Sequence, residues 1–358
     1  MVTESALAPL GPLRFRPILK DYIWGGRELE RLLGRRLPGG TIAESWEISD
    51  HPNGETPVVG GPWDGATLRQ LLNTYGTRLV GRRNQAAVDR ERFPLLIKLL
   101  DADQWLSVQV HPDDDYARSR EGDLGKTEMW VVLHARPNAE IILGFDRPAD
   151  AQELRAALNR GQLESVLHRV PARQGDVFLV PAGTIHAIGP GLVLAEIQQA
   201  SDVTYRLHDW GRKDTDGKSR PLHLEQALEV ADFRSVRPGA IRPAPLAGGA
   251  AERELLVDCP YFRTERLRLD GPAYQADCDG ATFEIWALLS GTATIDSGRG
   301  SIDLEPVSWT LLPADLGPFE VRSSARAELL RVSTPPGKKG DRHPIAANES
   351  ETCVPGAL

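Results

Sequence analysis

Two histidines in this chain stand where short strands would deliver them to a common site. The stretch Gly175–His186 reads as an apolar strand, a Pro-Ala-Gly turn and then the imidazole of His186. Upstream, Ser107, Gln109 and His111 alternate with valines, so a strand of period two would place all three on one face. Two imidazoles of this kind need a carboxylate to complete a metal site.

Glu128 is the candidate for that carboxylate. It opens the β-prone run after Gly125, and a neighbouring strand could bring it to the face of His111. Together with His186 it would form a two-histidine, one-glutamate set, which suits catalytic zinc with one position open to water or substrate. The amide oxygen of Gln109 could serve as a further metal ligand. The sequence gives no sign of redox chemistry, so zinc is preferred, although these ligands alone would also accept iron or manganese.

For either histidine taken alone, an ordinary hydrogen-bonded or surface role is the simpler interpretation. The joint spacing of the histidines and the glutamate favours the metal site.

Composition limits the remaining possibilities. The 358 residues exceed the usual size of a single core, so two domains or one large elaborated domain are expected. With 42 Lys and Arg against 50 Asp and Glu, the net charge is -8, which argues against nucleic acid or an anionic membrane as the main partner. The three cysteines form no C-x-x-C pair, and no apolar run approaches about 18 residues. We therefore expect a soluble, cytoplasmic protein.

The elements that must position these side chains are mostly short strands. Strand-like runs lie at residues 42–48, 93–100, 106–110, 129–134, 141–143 and 192–197. Helical spacing occurs at residues 28–33, 67–75, 86–92, 149–170 and 222–230. Many short strands separated by turn residues predict a barrel or a sandwich. The predicted fold class is mainly β, with helical additions around a first barrel.

A second barrel is predicted after a Pro-, Gly- and Ala-rich linker at residues 237–249. Its segment Ser308–Pro318 aligns with Asp176–His186, and this internal repeat indicates two related barrels. Proline cannot bind a metal, so Pro318 in the position of His186 assigns the chemistry to the first barrel. The predicted domains are a catalytic domain at 1–240, a metal-free barrel at 241–335 and a disordered tail at 336–358.

The chain resembles the type I mannose-6-phosphate isomerases in their shorter bacterial form. Four ordered motifs carry the resemblance, which covers roughly residues 14–335: Leu106–Pro112, Gly125–Glu128, Val180–Ala187 and Gln198–Arg206. The resemblance implies a double cupin, built of two jelly-roll β-barrels, and one zinc ion per chain. The zinc ligands of the family carry over to Gln109, His111, Glu128 and His186.

The resemblance also implies the interconversion of mannose 6-phosphate and fructose 6-phosphate. The partner is then a phosphorylated hexose, and the oligomeric state is left open. After ring opening, a proton must move between C2 and C1 through an enediol. Zinc would stabilise the charge that develops on the oxygens, and a base tuned towards neutral pH would move the proton best.

Three groups are candidates for carrying that proton. Lys126 lies two residues from Glu128, so an extended segment would point both side chains into one cavity. Burial beside a dication would favour its neutral amine, whereas a charged Lys126 could hold phosphate or an oxyanion. Glu196 shares a strand face with apolar residues, an expensive place for an unpartnered carboxylate, although a structural ion pair explains it equally well. A zinc-bound water or hydroxide is the third candidate.

Other residues are candidates for substrate binding. Arg206 is a catalytic candidate together with Lys126 and Glu196, since it matches the substrate-side arginine of the family. Arg212 stands where a basic residue fits the phosphate, although surface salt bridges would also explain both arginines. Ser107 could donate a hydrogen bond from the face of the zinc ligands. Trp24 and Glu44 match pocket segments of the family, but aromatic residues more often belong to the core.

Two other functions compete with the isomerase. One is a non-catalytic cupin that binds a sugar phosphate around a structural metal, and the other is a metal-dependent cupin oxygenase. Lys126, Glu196 and Arg206 beside an open ligand set favour the isomerase, because a structural site would be closed. An oxygenase would leave the basic pocket residues without a purpose.

Overall fold

The structure is a computed structural model that describes residues 7–213, 217–248, 251–271 and 273–336. The predicted tail lies outside the described residues from position 337 onward. None of the helices in the described ranges has the length and apolar character needed to cross a membrane.

Short strands make up most of the regular structure. In chain order they are β1 (Leu13–Arg14), β2 (Ile18–Lys20), β3 (Glu44–Ile48), β4 (Asp50–His51), β5 (Gly54–Glu55), β6 (Leu95–Ala102), β7 (Val108–Val110), β8 (Glu128–Ala135), β9 (Glu140–Phe145), β10 (Leu167–Pro171), β11 (Val177–Val180), β12 (His186–Ile188), β13 (Leu192–Gln199), β14 (Tyr205–His208), β15 (Ala244–Leu246), β16 (Glu252–Asp258), β17 (Arg263–Leu269), β18 (Tyr274–Cys278), β19 (Glu284–Ser290), β20 (Ala293–Ser297), β21 (Gly300–Leu304), β22 (Trp309–Leu312), β23 (Gly317–Arg322) and β24 (Ala327–Ser333).

The helices are short and several begin with a capping side chain. They are α1 (Glu28–Leu33), α2 (Leu68–Tyr75), α3 (Thr77–Val80), α4 (Gln85–Asp89), α5 (Asp114–Arg120), α6 (Ala151–Asn159) and α7 (Leu224–Val230), with 3-10 turns at Gly61–Trp63, Arg82–Asn84 and Leu163–Ser165. Asp113 and Asp150 accept backbone N–H bonds at the starts of α5 and α6, and Thr67 with Gln70 forms a capping box on α2.

The chain divides into two compact units. The site unit consists of Ile18–Trp46 and Leu95–Ile241, and the companion unit consists of residues up to Pro17, Glu47–Pro94 and the chain from Arg242 onward. Residues 47–94 therefore belong with the second set of strands, whereas the sequence placed them in the first domain. The functional domain limits at residues 240 and 335 stay a prediction.

The site unit is a barrel of two sheets. One has the strand order β10-β9-β12-β7-β14 and the other β11-β8-β13-β6-β3-β2. Their inner faces share one buried cluster, in which Ile141 and Leu143 from β9 meet Trp130, Phe178 and Leu194 from the opposite sheet. The period-two pattern of these strands explains why polar residues between the apolar ones can project from the same walls.

Helices cover the outer face of the five-stranded sheet. Leu154 and Ala157 of α6 and Ala227 of α7 lie in one buried cluster with Val110 and Ile142. Both faces of this sheet are thus covered, so the strands that carry Gln109 and His186 are held from two sides.

The companion unit repeats the same plan. Its sheets have the orders β1-β22-β19-β24-β17-β16-β15 and β18-β23-β20-β21. Trp286, Leu312 and Leu329 of the first sheet form a buried cluster with Ile295 and Phe319 of the second. The consecutive strands β22-β19-β24-β17 correspond to β11-β8-β13-β6 of the site unit, and the aligned segments give strands of identical extent, Val177–Val180 and Trp309–Leu312. This correspondence supports the predicted internal repeat.

Most predicted elements are present, with shifts of a few residues at their ends. The prediction for residues 149–170 was wrong in its second half, because α6 ends at Asn159 and Leu167–Pro171 pairs with β9. Helix α5 was missed because its charged sequence has no apolar stripe. It depends instead on the cap from Asp113.

Close backbone packing explains the Trp24-Gly25-Gly26 segment. A Cβ atom on Gly25 would lie 2.5 Å from the backbone nitrogen of Ala43, and one on Gly26 would lie 2.7 Å from the Asp101 carboxylate. The backbone of Trp24 in turn accepts N–H bonds from Asp103 and Gln104. The glycines therefore fix how this segment packs against β6.

We expect Gly25→Ala to lower the free energy of unfolding by about 1–3 kcal/mol, because backbone cannot move aside as a flexible side chain can. Gly39→Ala is the matched control, since nothing lies within 4 Å of a Cβ built there. Urea unfolding of the two variants checks this. Equal stability of both would show that the segment can shift without cost.

Candidate metal and substrate site

Strands from both sheets of the site unit deliver the predicted metal ligands. Gln109 lies on β7, His111 follows that strand directly, and His186 opens the adjacent strand β12, opposite Gln109 in the register. Glu128 opens β8 in the other sheet. The predicted metal ligands therefore come from both walls of the barrel.

The ligand atoms of three of these residues form one group. His111, Glu128 and His186 are all buried, and their ligand atoms lie within 4.8 Å of one another. Nε2 of His111 is 3.6 Å from Glu128 Oε2, and Nε2 of His186 is 3.4 Å from Glu128 Oε1. This is the one group of its kind among the described residues.

Backbone carbonyls orient both imidazoles. Nδ1 of His111 is 2.8 Å from the carbonyl oxygen of Val203, and Nδ1 of His186 is 2.9 Å from that of Thr184. A carbonyl oxygen only accepts, so each Nδ1–H must donate and each Nε2 keeps its lone pair. Both lone pairs face the group, which is the arrangement that metal-binding histidines usually show.

Burial keeps the histidines neutral. It lowers the pKa of His111 well below its ordinary value, with a further contribution from the charge of Lys126. It also lowers the pKa of His186, to about 4. Burial and the nearby Glu196 raise the pKa of Glu128. A buried carboxylate of this kind favours a cationic partner.

The donor set fits a divalent cation. Oε1 of Glu128 is buried and accepts no hydrogen bond from any described residue, while two neutral imidazole lone pairs lie nearby. Gln109 is less clearly a ligand, because its amide nitrogen lies 3.2 Å from His186 Nε2 and its oxygen accepts a 3.0 Å bond from Ser107. Ligation through the oxygen requires the amide to turn over, so this part stays a prediction.

Lys126 lies inside the group. Its Nζ is 2.5 Å from Glu128 Oε2 and 3.1 Å from His111 Nε2, and the side chain is buried. Lys126 and Glu128 thus point to the same side of the chain, and their shared cavity stays a prediction. One lone pair serves one partner, so a metal at His111 Nε2 and the hydrogen bond from Lys126 exclude each other.

The carboxylate of Glu196 already has two protein partners. Trp130 donates its indole N–H to Oε2 at 3.0 Å, and Lys98 lies 3.6 Å from Oε1. Burial alone would raise the pKa of Glu196, but the charges of Lys126 and Lys98 lower it. The ion pair that the sequence left open for this residue is present.

Lys98 was missed by the sequence reasoning. It lies on β6 directly opposite Glu196, is buried, and stands 3.4 Å from Glu44 and 4.8 Å from the centre of the Trp46 ring. The nearby carboxylates outweigh burial and raise its pKa, so it remains charged. The available signal was a lone lysine within the apolar run Leu95–Leu100.

The weaker pocket candidates have different surroundings. Glu44 accepts a 2.7 Å hydrogen bond from the Trp46 indole and lies 3.4 Å from Lys98. Glu44, Lys98 and Glu196 together are called the charged wall. Trp24 is buried in the apolar cluster of the barrel and lies 6.0 Å from the ring of Tyr22. Substrate contact by Glu44 and Trp24 stays a prediction.

Ser107 connects the metal-site group to the arginines that are predicted to bind the substrate. Its Oγ donates to Gln109 and accepts a 3.3 Å bond from Nε of Arg206, so a hydrogen-bonded chain joins the group to the arginine. Arg206 also donates to the carbonyl of Pro221 at 3.0 Å. Arg212 bonds to Asp209 and to the carbonyl of Trp105. The structure thus links Arg206 to the group and anchors Arg212.

The companion unit has a different charge pattern at the corresponding register positions. Glu284 stands opposite Leu312 as Glu128 stands opposite Val180. Arg331 occupies the position of Glu196, and Glu265 that of Lys98. Arg331 donates to Glu284 at 2.9 Å, so a guanidinium compensates the buried carboxylate there.

Comparison with known proteins gives consistent results. The family described as phosphomannose isomerase type I, catalytic domain, matches residues 13–137. A mannose-6-phosphate isomerase of Streptococcus mutans is 38% identical over 302 residues, 84% of this chain and 92% of that protein. One from Bacillus subtilis is 37% identical over 322 residues, 88% and 96% of the two chains. The crystal structure of the mannose 6-phosphate isomerase from Bacillus subtilis is 33% identical, covers 90% of this chain and 99% of its own, and has a TM-score of 0.81.

We expect His186→Ala to abolish tight binding of Zn²⁺, because it removes one of two imidazole lone pairs that face Glu128. The matched control is His168→Ala in the same unit, since His168 lies beside Asp146, away from the group. Calorimetric titration of chelator-treated protein checks this. Undiminished zinc binding by His186→Ala would contradict the assignment.

Proposed function

Because the chain belongs to the type I mannose-6-phosphate isomerase family, we propose that it uses one zinc ion per chain to interconvert mannose 6-phosphate and fructose 6-phosphate through an enediol. Family membership makes the protein an isomerase and confirms the predicted mainly β, double-cupin fold. The alternatives of a non-catalytic sugar-phosphate-binding protein and of an oxygenase lose their support.

The observation that carries the proposal is the buried group of His111, Glu128 and His186. Two imidazole lone pairs and an unbonded carboxylate oxygen meet in it, which is a donor set for a divalent ion. Bound there, zinc would polarise the sugar oxygens and stabilise the negative charge of the enediolate. Gln109 is proposed as a fourth ligand after its amide has turned over.

Lys126 is the better candidate for moving the proton. It is the nearest cation to Glu128, and it loses its bond to His111 when that lone pair is taken by a metal. Glu196 is already held by the Trp130 indole and Lys98, and its pKa is lowered, so it is a weak base. We assign Glu196 and Lys98 to the charged wall beside the reacting carbons.

Arg206 is proposed to bind the substrate. Its bond to Ser107 connects it through Gln109 to His186, so it lies next to the group while keeping N–H donors for an oxyanion. Ser107 supports the arginine rather than acting alone. A phosphorylated hexose could then be held at its phosphate end while its carbonyl end lies near the metal.

The proposed compartment is the cytoplasm. Cys278 is a buried, free thiol, which suits a reducing environment.

Turnover tests the function directly. Zinc-loaded protein is expected to convert mannose 6-phosphate to fructose 6-phosphate, and chelator-treated protein is expected to lose this activity and regain it with Zn²⁺. A coupled assay of fructose 6-phosphate gives the measurement. Full activity in the absence of any divalent metal would contradict the zinc proposal, and no turnover with metal bound would contradict the isomerase.

The enediol can be tested by running the reaction in D₂O. A base that removes the C2 proton exchanges it with solvent in part of the turnovers, so deuterium should appear at C1 of fructose 6-phosphate. Proton NMR of the product measures this. Complete absence of deuterium would contradict a base that exchanges the C2 proton with solvent.

For Lys126→Met we expect kcat to fall roughly 10²–10⁴-fold, the usual contribution of a positioned acid or base, while zinc stoichiometry stays at that of the wild type. Glu196→Gln should lower kcat less, because Glu196 is held as an anion. Steady-state kinetics and metal analysis on the same preparations check this. The reverse order of the two effects would assign the proton transfer to Glu196.

A further inference from the structure

An aspartate shared by two arginines lies beyond Arg206. Asp209 is buried, and its Oδ1 and Oδ2 accept bonds from Nη2 and Nε of Arg220 at 2.5 and 2.8 Å. The same Oδ1 accepts a bond from Arg212, whose Nε also donates to the backbone carbonyl of Asp209 at 3.3 Å. We call Asp209, Arg212 and Arg220 the arginine clamp. Sequence reasoning proposed Arg212 alone.

The clamp is fixed to the strand that carries the site. Arg212 donates to the carbonyl of Trp105, and the indole of Trp210 donates to that of Leu106 at 2.7 Å. These two carbonyls belong to the two residues before Ser107, in the segment that leads into β7. Trp210 itself has a φ of 57°, a left-handed conformation that is uncommon for a tryptophan. A strained residue between two anchors indicates that the position of the clamp is specified.

The clamp lies within electrostatic range of the proposed substrate residues. Burial lowers the pKa of Arg206, and the charges of Arg220 and Arg212 lower it further. Burial raises the pKa of Tyr22 to about 12, and Tyr22 is influenced by Glu44 and Lys98 as well as by Arg220. Arg220 therefore lies within electrostatic range of both Arg206 and Tyr22.

Charge counting favours an anionic ligand. Asp209 pairs with two guanidinium groups, those of Arg212 and Arg220, and the charge of Arg206 lies within range of all three. The whole chain carries -8. Grouping three guanidinium groups is unfavourable unless anions lie between them, and a phosphate would supply such an anion.

Free donors remain on two of the arginines. Nη1 of Arg220 and Nη2 of Arg206 make no hydrogen bond to any described residue. Asp209 bonds to Nε and Nη2 of Arg220 and so fixes the side chain. Nη1 of Arg220 can then donate to a ligand.

We propose that Arg220 is a further phosphate-binding residue and that Asp209 positions Arg212 and Arg220 to receive the 6-phosphate together with Arg206. The proposal rests on the proposed function, since it assigns the phosphate end of that substrate. It makes Asp209 a positioning residue, because a carboxylate would itself repel the ligand.

The experiment compares metal-replete wild type with Arg220→Gln, Arg220→Lys and Asp209→Asn. For Arg220→Gln we expect KM for mannose 6-phosphate and the inhibition constant of inorganic phosphate to rise about tenfold or more, the effect of losing a charged hydrogen bond, with a smaller change in kcat. Arg220→Lys should recover part of the loss, because it restores charge without the planar fork.

Asp209→Asn is the test of positioning. It keeps all three arginines and removes one negative charge, so simple electrostatics predicts tighter phosphate binding. If Asp209 positions the guanidinium groups, its loss displaces them and weakens phosphate binding. Weaker binding is the result we expect. The matched control is Arg234→Gln, which breaks an exposed pair with Asp232 in the same unit and should leave KM unchanged.

Each variant tests one part of the phosphate-site proposal. Unchanged KM and phosphate inhibition in Arg220→Gln would overturn the assignment of Arg220. A lower Tm with unchanged phosphate binding in Asp209→Asn would reduce Asp209 to a structural role. Calorimetric titration with inorganic phosphate needs no turnover, so it tests the clamp even where the isomerase assay of the wild type fails.

Discussion

The buried carboxylate of Glu128 is the constraint on which the rest of the site depends. Removing a carboxylate from water costs on the order of several kcal/mol unless a cation or hydrogen-bond donors replace the water. The companion unit meets this requirement with a guanidinium, since Arg331 bonds to Glu284 at the corresponding register position. In the site unit that position holds Glu196, a second anion. The deficit of positive charge is met by Lys126 and Lys98 and, in the proposed function, by a metal ion.

The two units share one fold and differ in how the buried glutamate is compensated. Both units place a buried glutamate at the start of an equivalent strand, and both place an indole next to a carboxylate: Trp130 bonds to Glu196, and Trp286 bonds to Glu284 at 2.8 Å. The internal ion pair of the companion unit is complete. The site unit instead leaves Glu128 Oε1 without a donor among the described residues and aims two imidazole lone pairs towards it. The described protein atoms therefore leave this oxygen of Glu128 unsatisfied, and a cationic ligand would satisfy it.

Residues on regular strands could be predicted from the sequence, because period two fixes which side chains share a face. His111, Glu128 and His186 meet as expected, and Lys126 joins them. Lys98 was detectable as a charged residue in an apolar run, but its partner Glu196 lies far away in sequence and is set by strand pairing. Arg220 and Asp209 were beyond prediction, because neither lies in a helix or strand whose period could place it. For the same reason the association of residues 47–94 with the companion unit could not be read from local pattern.

Zinc-edge anomalous diffraction from crystals grown with Zn²⁺ would show whether Glu128, His111 and His186 hold a divalent cation. We expect an anomalous peak about 2.0–2.2 Å from Nε2 of both histidines and from a Glu128 oxygen, with Lys126 turned away from His111. A zinc-saturated crystal without a peak at this position, in which Lys126 still bonds to His111 and Glu128, would contradict the metal site.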